Sequence, residues 1–143
     1  MQKIIRRIAI VFTVIILILV NIFSLKQTIS NPVVSSINDK FGHFLAYFAF
    51  SFFLFFCFFS IKNLNRNSEN NFYLFFKSNW IISVNCILFS TIFGVFIEII
   101  QPYFHRFRDP LDVLADFLGS FSAQIFIYIL TLIFIKVWFK KKK

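Results

Sequence analysis

Acidic residues, glycine, proline and cysteine are all scarce in this chain of 143 residues, which holds six Asp and Glu, three Gly, three Pro and two Cys. Both cysteines, Cys57 and Cys86, lie inside apolar runs and form no CxxC motif, so they indicate neither a disulfide framework nor a zinc site. We expect them to be small packing residues. The few glycines form no phosphate-binding loop, and no repeat or heptad pattern is present.

Apolar residues, in contrast, are abundant. They make up 59% of the chain, 25 residues are Phe, and the mean hydropathy is +0.79. A soluble domain of this size could not bury so much apolar surface. Four apolar runs are each long enough to cross a hydrocarbon core of about 30 Å as a helix, and no strand alternation typical of a membrane barrel occurs. The sequence predicts one all-α integral membrane domain over residues 1–143, with helices at about 5–25, 41–61, 80–101 and 112–139.

The net charge of +9 arises from Lys and Arg that are unevenly distributed between the predicted loops. With the N-terminus in the cytoplasm, ten of them lie in the N-terminal segment, the loop between the second and third helices, and the C-terminal tail. Only four, Lys26, Lys40, Arg106 and Arg108, lie in the two outer loops. This asymmetry predicts that both termini are cytoplasmic, and it argues against nucleic acid as a partner. The first run lacks a small-x-small cleavage site, which predicts a retained helix.

Five of the six acidic residues fall at the predicted outer ends of the second, third and fourth helices: Asp39, Glu98, Asp109, Asp112 and Asp116. At a rise of about 1.5 Å per residue, His43, Glu98 and Asp116 lie only ~5–6 Å below those ends. The spacing of Asp109, Asp112, Asp116 and Gly119 places them on one face of the fourth helix, where Gly119 allows close approach of a neighbour. Because charges at membrane depth are costly, the convergence predicts a polar pocket that opens outward.

Residues 39–119 resemble the VanZ-like family of small bacterial membrane proteins. Asp39, Lys40, His43 and Tyr47 match its D-K-x-x-H-x-x-x-Y signature. Further on, the chain matches an E-x-x-Q motif at Glu98 and Gln101, an outer-loop Arg at Arg106, and a D-x-x-x-N-x-x-G motif that begins at Asp112 and ends at Gly119. Asp116 stands where the family usually has Asn. The resemblance implies a bacterial inner-membrane protein of the cell envelope, with a link to tolerance of the glycopeptide teicoplanin.

The candidate binding residues are those of the two motif regions: Asp39, Lys40, His43, Tyr47, Glu98, Gln101, Arg106, Asp112 and Asp116. The catalytic candidates among them are His43, Glu98 and Asp112. Glu98, Asp112 and Asp116 are candidate oxygen ligands for a divalent cation such as magnesium or calcium, although no cofactor is required. The competing interpretations are structural: Lys40 as an interface anchor, Gln101 as a helix-end cap, and Arg106 or Arg108 in salt bridges with the aspartates. The run 52–59 is expected to face lipid.

Three functions remain open from the sequence. The pocket can bind a membrane lipid or lipid-linked envelope molecule with an anionic headgroup, which Arg106 and Arg108 would hold. It can be an enzyme site in which His43 and a carboxylate act as acid and base on a lipid-linked substrate, although no nucleophile with an adjacent base is evident. It can instead be an ion-paired network that locks the helices together.

Overall fold

The computed structural model describes residues 2–25, 32–59, 71–104 and 108–140, and nearly all of them are helical. The helices are α1 (Gln2–Leu25), α2 (Pro32–Phe58), α3 (Asn71–Ile100) and α4 (Pro110–Lys140), with a short 3₁₀ turn at Gln101–Phe104. Each of these four helices contains a stretch long and apolar enough to cross a membrane. The predicted all-α architecture with four membrane-spanning segments is therefore confirmed at this level.

All four helices begin earlier than the sequence predicts, and α2 and α3 do so by nine residues each. α2 begins at Pro32 and α3 at Asn71, whereas the apolar runs suggested starts near residues 41 and 80. Asn38 and Asp39, which lie just before the second apolar run and have residue types that suit a helix N-terminus, instead lie within α2. A hydropathy run marks the part of a helix that meets hydrocarbon, while the helix itself continues into polar surroundings. Proline suits the first helical position because its missing N–H has no partner there in any case.

Helix α2 packs against α1, α3 and α4, and α4 also packs extensively against α3. Two hydrogen bonds fix the ends of α1. The Gln2 amide donates to the Phe59 carbonyl at 2.7 Å, and the Gln101 amide donates to the Ser24 carbonyl at 3.3 Å. The C-terminal end of α1 therefore lies beside the C-terminal end of α3, as expected when successive helices run in opposite directions. Lys40 of α2 forms a salt bridge with Asp109, the residue that precedes α4. We refer to this arrangement of Lys40, His43, Asp109, Asp112 and Asp116 as the aspartate cluster.

Polar side chains face the interior of the bundle and large apolar side chains face outward, as expected for a protein surrounded by lipid. The Gln124 amide donates to the Ser51 hydroxyl at 2.8 Å, and that hydroxyl donates to the Ser120 carbonyl at 3.3 Å. Ser83 and Tyr128 share a hydrogen bond of 2.9 Å between α3 and α4. Such contacts join helices in a medium that provides little hydrophobic attraction between them.

Away from the aspartate cluster, the interior also contains a group of aromatic side chains. Phe55, Phe59, Phe75, Cys86 and Ile127 form one buried group, so Cys86 is a packing residue as predicted. The expectation that the run 52–59 faces lipid is wrong in part. Phe55 is fully buried, whereas Phe58 is 61% exposed. The Phe-rich run is apolar throughout and has no polar residue to mark its inward face, so hydropathy alone could not separate the two sides.

Gly119 allows α2 and α4 to approach closely, which confirms the prediction made from its position. A Cβ atom built on Gly119 would collide with the Phe44 carbonyl oxygen and lie 3.0 Å from the Phe48 backbone nitrogen. Gly94 has a similar role on α3, since a Cβ there would collide with the Asp116 carboxylate. These two glycines allow α2 and α3 to enclose the stretch of α4 that carries Asp116.

Candidate functional site

The start of α4 is fixed by acidic groups that hydrogen-bond to backbone. Asp109 is the N-cap residue, since its Oδ1 accepts from the Leu111 N–H at 2.9 Å and Pro110 occupies the first helical position. The Asp109 N–H in turn donates to Glu98 Oε2 at 2.9 Å, which ties this turn to the last turn of α3. Glu98 therefore anchors the backbone before α4. This contact engages one of its oxygens apart from Asp112 and Asp116, the other predicted ligands of a divalent cation.

Lys40 connects α2 to α4 through two aspartates. Its ammonium group donates to Asp109 Oδ2 and lies 3.4 Å from Asp112 Oδ1. The hydrogen bond from Lys40 lowers the pKa of Asp109 below its ordinary value, so Asp109 is a carboxylate at neutral pH. The salt bridge that the sequence offered to Arg108 is thus made by Lys40, while Arg108 donates to the Ile99 carbonyl at 3.3 Å.

His43 and Asp116 form a buried pair between α2 and α4. The Nδ1 of His43 lies 2.9 Å from Asp116 Oδ1, and the side chains are only 5% and 1% exposed. When Asp116 is ionised, its carboxylate can only accept, and Nδ1 then carries the proton and donates it in this bond. A neutral His43 therefore has its lone pair on Nε2.

The Nε2 atom of His43 faces Asp112. It lies 3.6 Å from Asp112 Oδ2, which is too long for a hydrogen bond, and it has no hydrogen-bond partner within the described ranges. Ligand atoms of Asp39, His43 and Asp112 all lie within 4.8 Å of one another. The group that the structure brings together for a cation therefore shares only Asp112 with the predicted set of Glu98, Asp112 and Asp116.

Several other polar atoms here are buried without a hydrogen-bond partner among the residues that the structure describes. They include the Tyr47 hydroxyl, Asp116 Oδ2, Glu98 Oε1 and Gln101 Oε1. The Tyr47 side chain is completely buried, and its ring is parallel to that of His43 with centroids 6.3 Å apart. Leaving such groups unpaired costs about 1–3 kcal/mol each. A network that served only to stabilise the bundle would be expected to pair more of these polar atoms.

A groove between α1 and α2 reaches the aspartate cluster from the side. Its volume is about 480 Å³, and most of its wall is apolar. Ile16, Leu19 and Val20 line it from α1, and Leu45, Ala46 and Ala49 line it from α2. Asp39 and His43 also line the groove, together with Gly42. A Cβ on Gly42 would meet nothing within 4 Å, so the groove is open at this position.

Five predicted site residues thus come together: Asp39, Lys40, His43, Asp112 and Asp116. Glu98 and Gln101 instead make backbone hydrogen bonds, to Asp109 and Ser24, and Gln101 does not act simply as a cap of its own helix. Arg106 lies outside the described residues. The groove was not predicted from the sequence, because the small residues Gly42, Ala46 and Ala49 in its α2 wall carry no charge or motif. Their spacing of four and three residues was the available signal.

Comparisons with models of known protein families, with curated proteins and with solved structures find no match to this chain. Membership of the VanZ-like family therefore stays a prediction based on the motifs between Asp39 and Gly119.

Proposed function

We propose that this protein binds a membrane amphiphile, with its apolar chain in the groove between α1 and α2 and its polar headgroup beside Asp39 and His43. The observation that carries this proposal is the continuity of the groove, whose wall changes from aliphatic side chains to an aspartate and a buried histidine. A lipid molecule likewise has an apolar chain that ends in a polar headgroup. The VanZ-like resemblance supports a lipid or lipid-linked molecule of the bacterial cell envelope.

The headgroup must provide the selectivity. Moving an acyl or polyprenyl chain from the bilayer into an apolar groove gains little, because lipid tails are as apolar as the leucine and isoleucine of the wall. Contacts with Asp39 and His43 replace water at a buried position, where they are stronger than at an exposed surface. The groove therefore positions the molecule, and the polar end selects it.

The charge of the site restricts the headgroup. Beside His43, the described part of the site holds four aspartates, and Lys40 is already engaged with two of them, Asp109 and Asp112. Arg108 is directed to a backbone carbonyl. An anionic headgroup, as predicted from Arg106 and Arg108, needs additional positive charge at this position, whereas an amine or hydroxyl headgroup can bind the carboxylates directly.

Replacing Gly42 with leucine tests the groove. The new side chain enters open space, so we expect the variant to fold, with a small gain in helix propensity, and to lose the lipid that wild type retains. Mass spectrometry of lipids that copurify in mild detergent measures this, with Gly42→Ala as the matched control that leaves most of the groove free. Equal retention of one specific lipid by wild type and folded Gly42→Leu would refute the groove as its site.

A second candidate function is acid and base catalysis on the bound lipid. It is favoured by one observation, the hydrogen bond by which Asp116 fixes His43 so that Nε2 is available as a base. Once the lipid is identified, its conversion by wild type and by the folded His43→Gln variant gives the test. Turnover by wild type alone supports catalysis, and equal turnover by both excludes His43 as the base.

We also propose that both termini are cytoplasmic, that the aspartate cluster faces outward, and that expression raises tolerance to teicoplanin. The distribution of Lys and Arg supports the first two statements. A fluorescent protein fused to the C-terminus is expected to fluoresce, and an alkaline phosphatase fused there is expected to be inactive. The reverse pattern would place the cluster on the cytoplasmic side.

A further inference from the structure

We propose that Asp39, His43 and Asp112 bind a divalent transition-metal ion of the zinc type at the headgroup end of the groove. Two of the ligands come from successive turns of α2, four residues apart, and the third comes from the first turn of α4. Their ligand atoms lie within 4.8 Å of one another, and His43 is 95% buried. One histidine and two carboxylates are a donor set that zinc accepts.

The orientation of His43 provides an independent argument. In metal sites, a ligating histidine commonly donates its second ring N–H to a carboxylate, which fixes the tautomer and makes the ligand more basic. Asp116 makes this contact with Nδ1 at 2.9 Å. The remaining nitrogen, Nε2, is buried, has no hydrogen-bond partner among the residues described, and faces Asp112.

The separation between His43 and Asp112 also fits a shared ion better than a direct contact. Two tetrahedral ligands, each about 2.1 Å from zinc, lie about 3.4 Å apart. Nε2 and Asp112 Oδ2 are separated by 3.6 Å, beyond hydrogen-bond distance. Asp112 divides its two oxygens, since Oδ1 is near Lys40 and Oδ2 faces the histidine. A small closing movement of Asp39 would complete three protein ligands and leave the fourth position open.

Such an ion resolves the charge problem of the site. A divalent cation offsets two of the clustered carboxylates, and its open position can accept an oxygen of a phosphate headgroup, as open zinc sites accept water or substrate. The role of the ion in binding a headgroup rests on the proposed function. The binding of the metal itself is independent of it. The imidazole ligand favours zinc or cobalt over magnesium and calcium, which prefer all-oxygen sites.

The experiment is a Co²⁺ titration of the full-length, metal-stripped protein in a non-ionic detergent without added lipid. We expect a visible absorption band of tetrahedral Co²⁺ with one ion per chain, which Zn²⁺ abolishes and Mg²⁺ does not. Asp39→Asn and His43→Gln are expected to lose the band. Asp116→Asn should weaken binding by about 10–100-fold, because a neutral acceptor at Nδ1 makes the His43 ligand less basic.

His105→Ala removes the only other histidine of the chain and serves as the matched control, which should bind as wild type does. Size-exclusion chromatography checks that each variant is folded. If His43→Gln does not fold, the loss of the Co²⁺ band in Asp39→Asn alone tests the site. Absence of Co²⁺ and Zn²⁺ binding to folded wild type would overturn the proposal, as would unchanged binding by Asp39→Asn. If the protein bound no metal but still retained its lipid, the metal site would be rejected and the proposed lipid-binding function would stand. If it bound metal but retained no lipid, the metal site would stand and the proposed function would be rejected.

Discussion

Replacement of Gly119 by alanine is expected to lower the free energy of unfolding by about 3 kcal/mol, which is at the upper end of the usual cost of overpacking. The added methyl group would collide with the Phe44 carbonyl oxygen and crowd the Phe48 backbone nitrogen. Both are main-chain atoms of a packed helix, so no side-chain rotation relieves the contact. α2 and α4 would have to separate where His43 meets Asp116. Unfolding in mixed micelles, followed by tryptophan fluorescence, measures the change.

Gly42→Ala is the matched control for that experiment, because it makes the same chemical change on a helix where the new Cβ meets nothing within 4 Å. We expect stability equal to wild type or greater by up to about 1 kcal/mol, from helix propensity alone. If the alanine at position 119 were as well tolerated as the one at position 42, the close approach of α2 and α4 would be refuted.

Replacement of Asp116 by alanine is expected to cost about 3–5 kcal/mol, because it removes one partner from a buried pair. His43 would keep a buried Nδ1–H with no acceptor, and Gly94 on α3 would lose the carboxylate that fills the space beside it. The same unfolding measurement in mixed micelles applies. The variant is also expected to show a reduced yield of monodisperse protein.

Asp116→Asn separates charge from hydrogen bonding at the same position. Its side-chain oxygen can still accept from His43 Nδ1, so we expect a loss of no more than about 1 kcal/mol. Asparagine is also the residue that the VanZ-like pattern has here. A loss as large as that of alanine would show that the negative charge itself holds the helices together, which would favour the ion-paired network. Wild-type stability of Asp116→Ala would contradict a structural role for the pair.

Much of the fold follows from the sequence, because the bilayer restricts what an apolar chain can do. Four long apolar runs specify four helices, and the position of Gly119 on the polar face of α4 correctly indicates a close helix contact. Equal depth on two helices also places His43 and Asp116 at one level, although it did not identify them as partners. These inferences depend on position along a helix, which sequence specifies well.

Rotation about a helix axis is harder to read than depth. Glu98 lies at the expected depth, yet one oxygen binds the Asp109 N–H on the α4 side and the residue does not join Asp39, His43 and Asp112. Lys40 takes the ion pairs that Arg108 could equally have made. In an apolar run such as 52–59, no polar residue indicates which Phe faces inward. The groove arises from small side chains on one helix and their distance from another, which is a property of packing.

The hydrogen bonds between Ser51 and Gln124 also keep two parallel helices in register. Ser51 follows His43 by eight residues, and Gln124 follows Asp116 by eight, so two pairs of hydrogen-bonded side chains about 12 Å apart join α2 to α4. Sliding one helix past the other by a turn would break the hydrogen bonds of both pairs and leave polar groups facing hydrocarbon. The alignment of the histidine with its aspartate is thus set partly by residues two turns further along each helix.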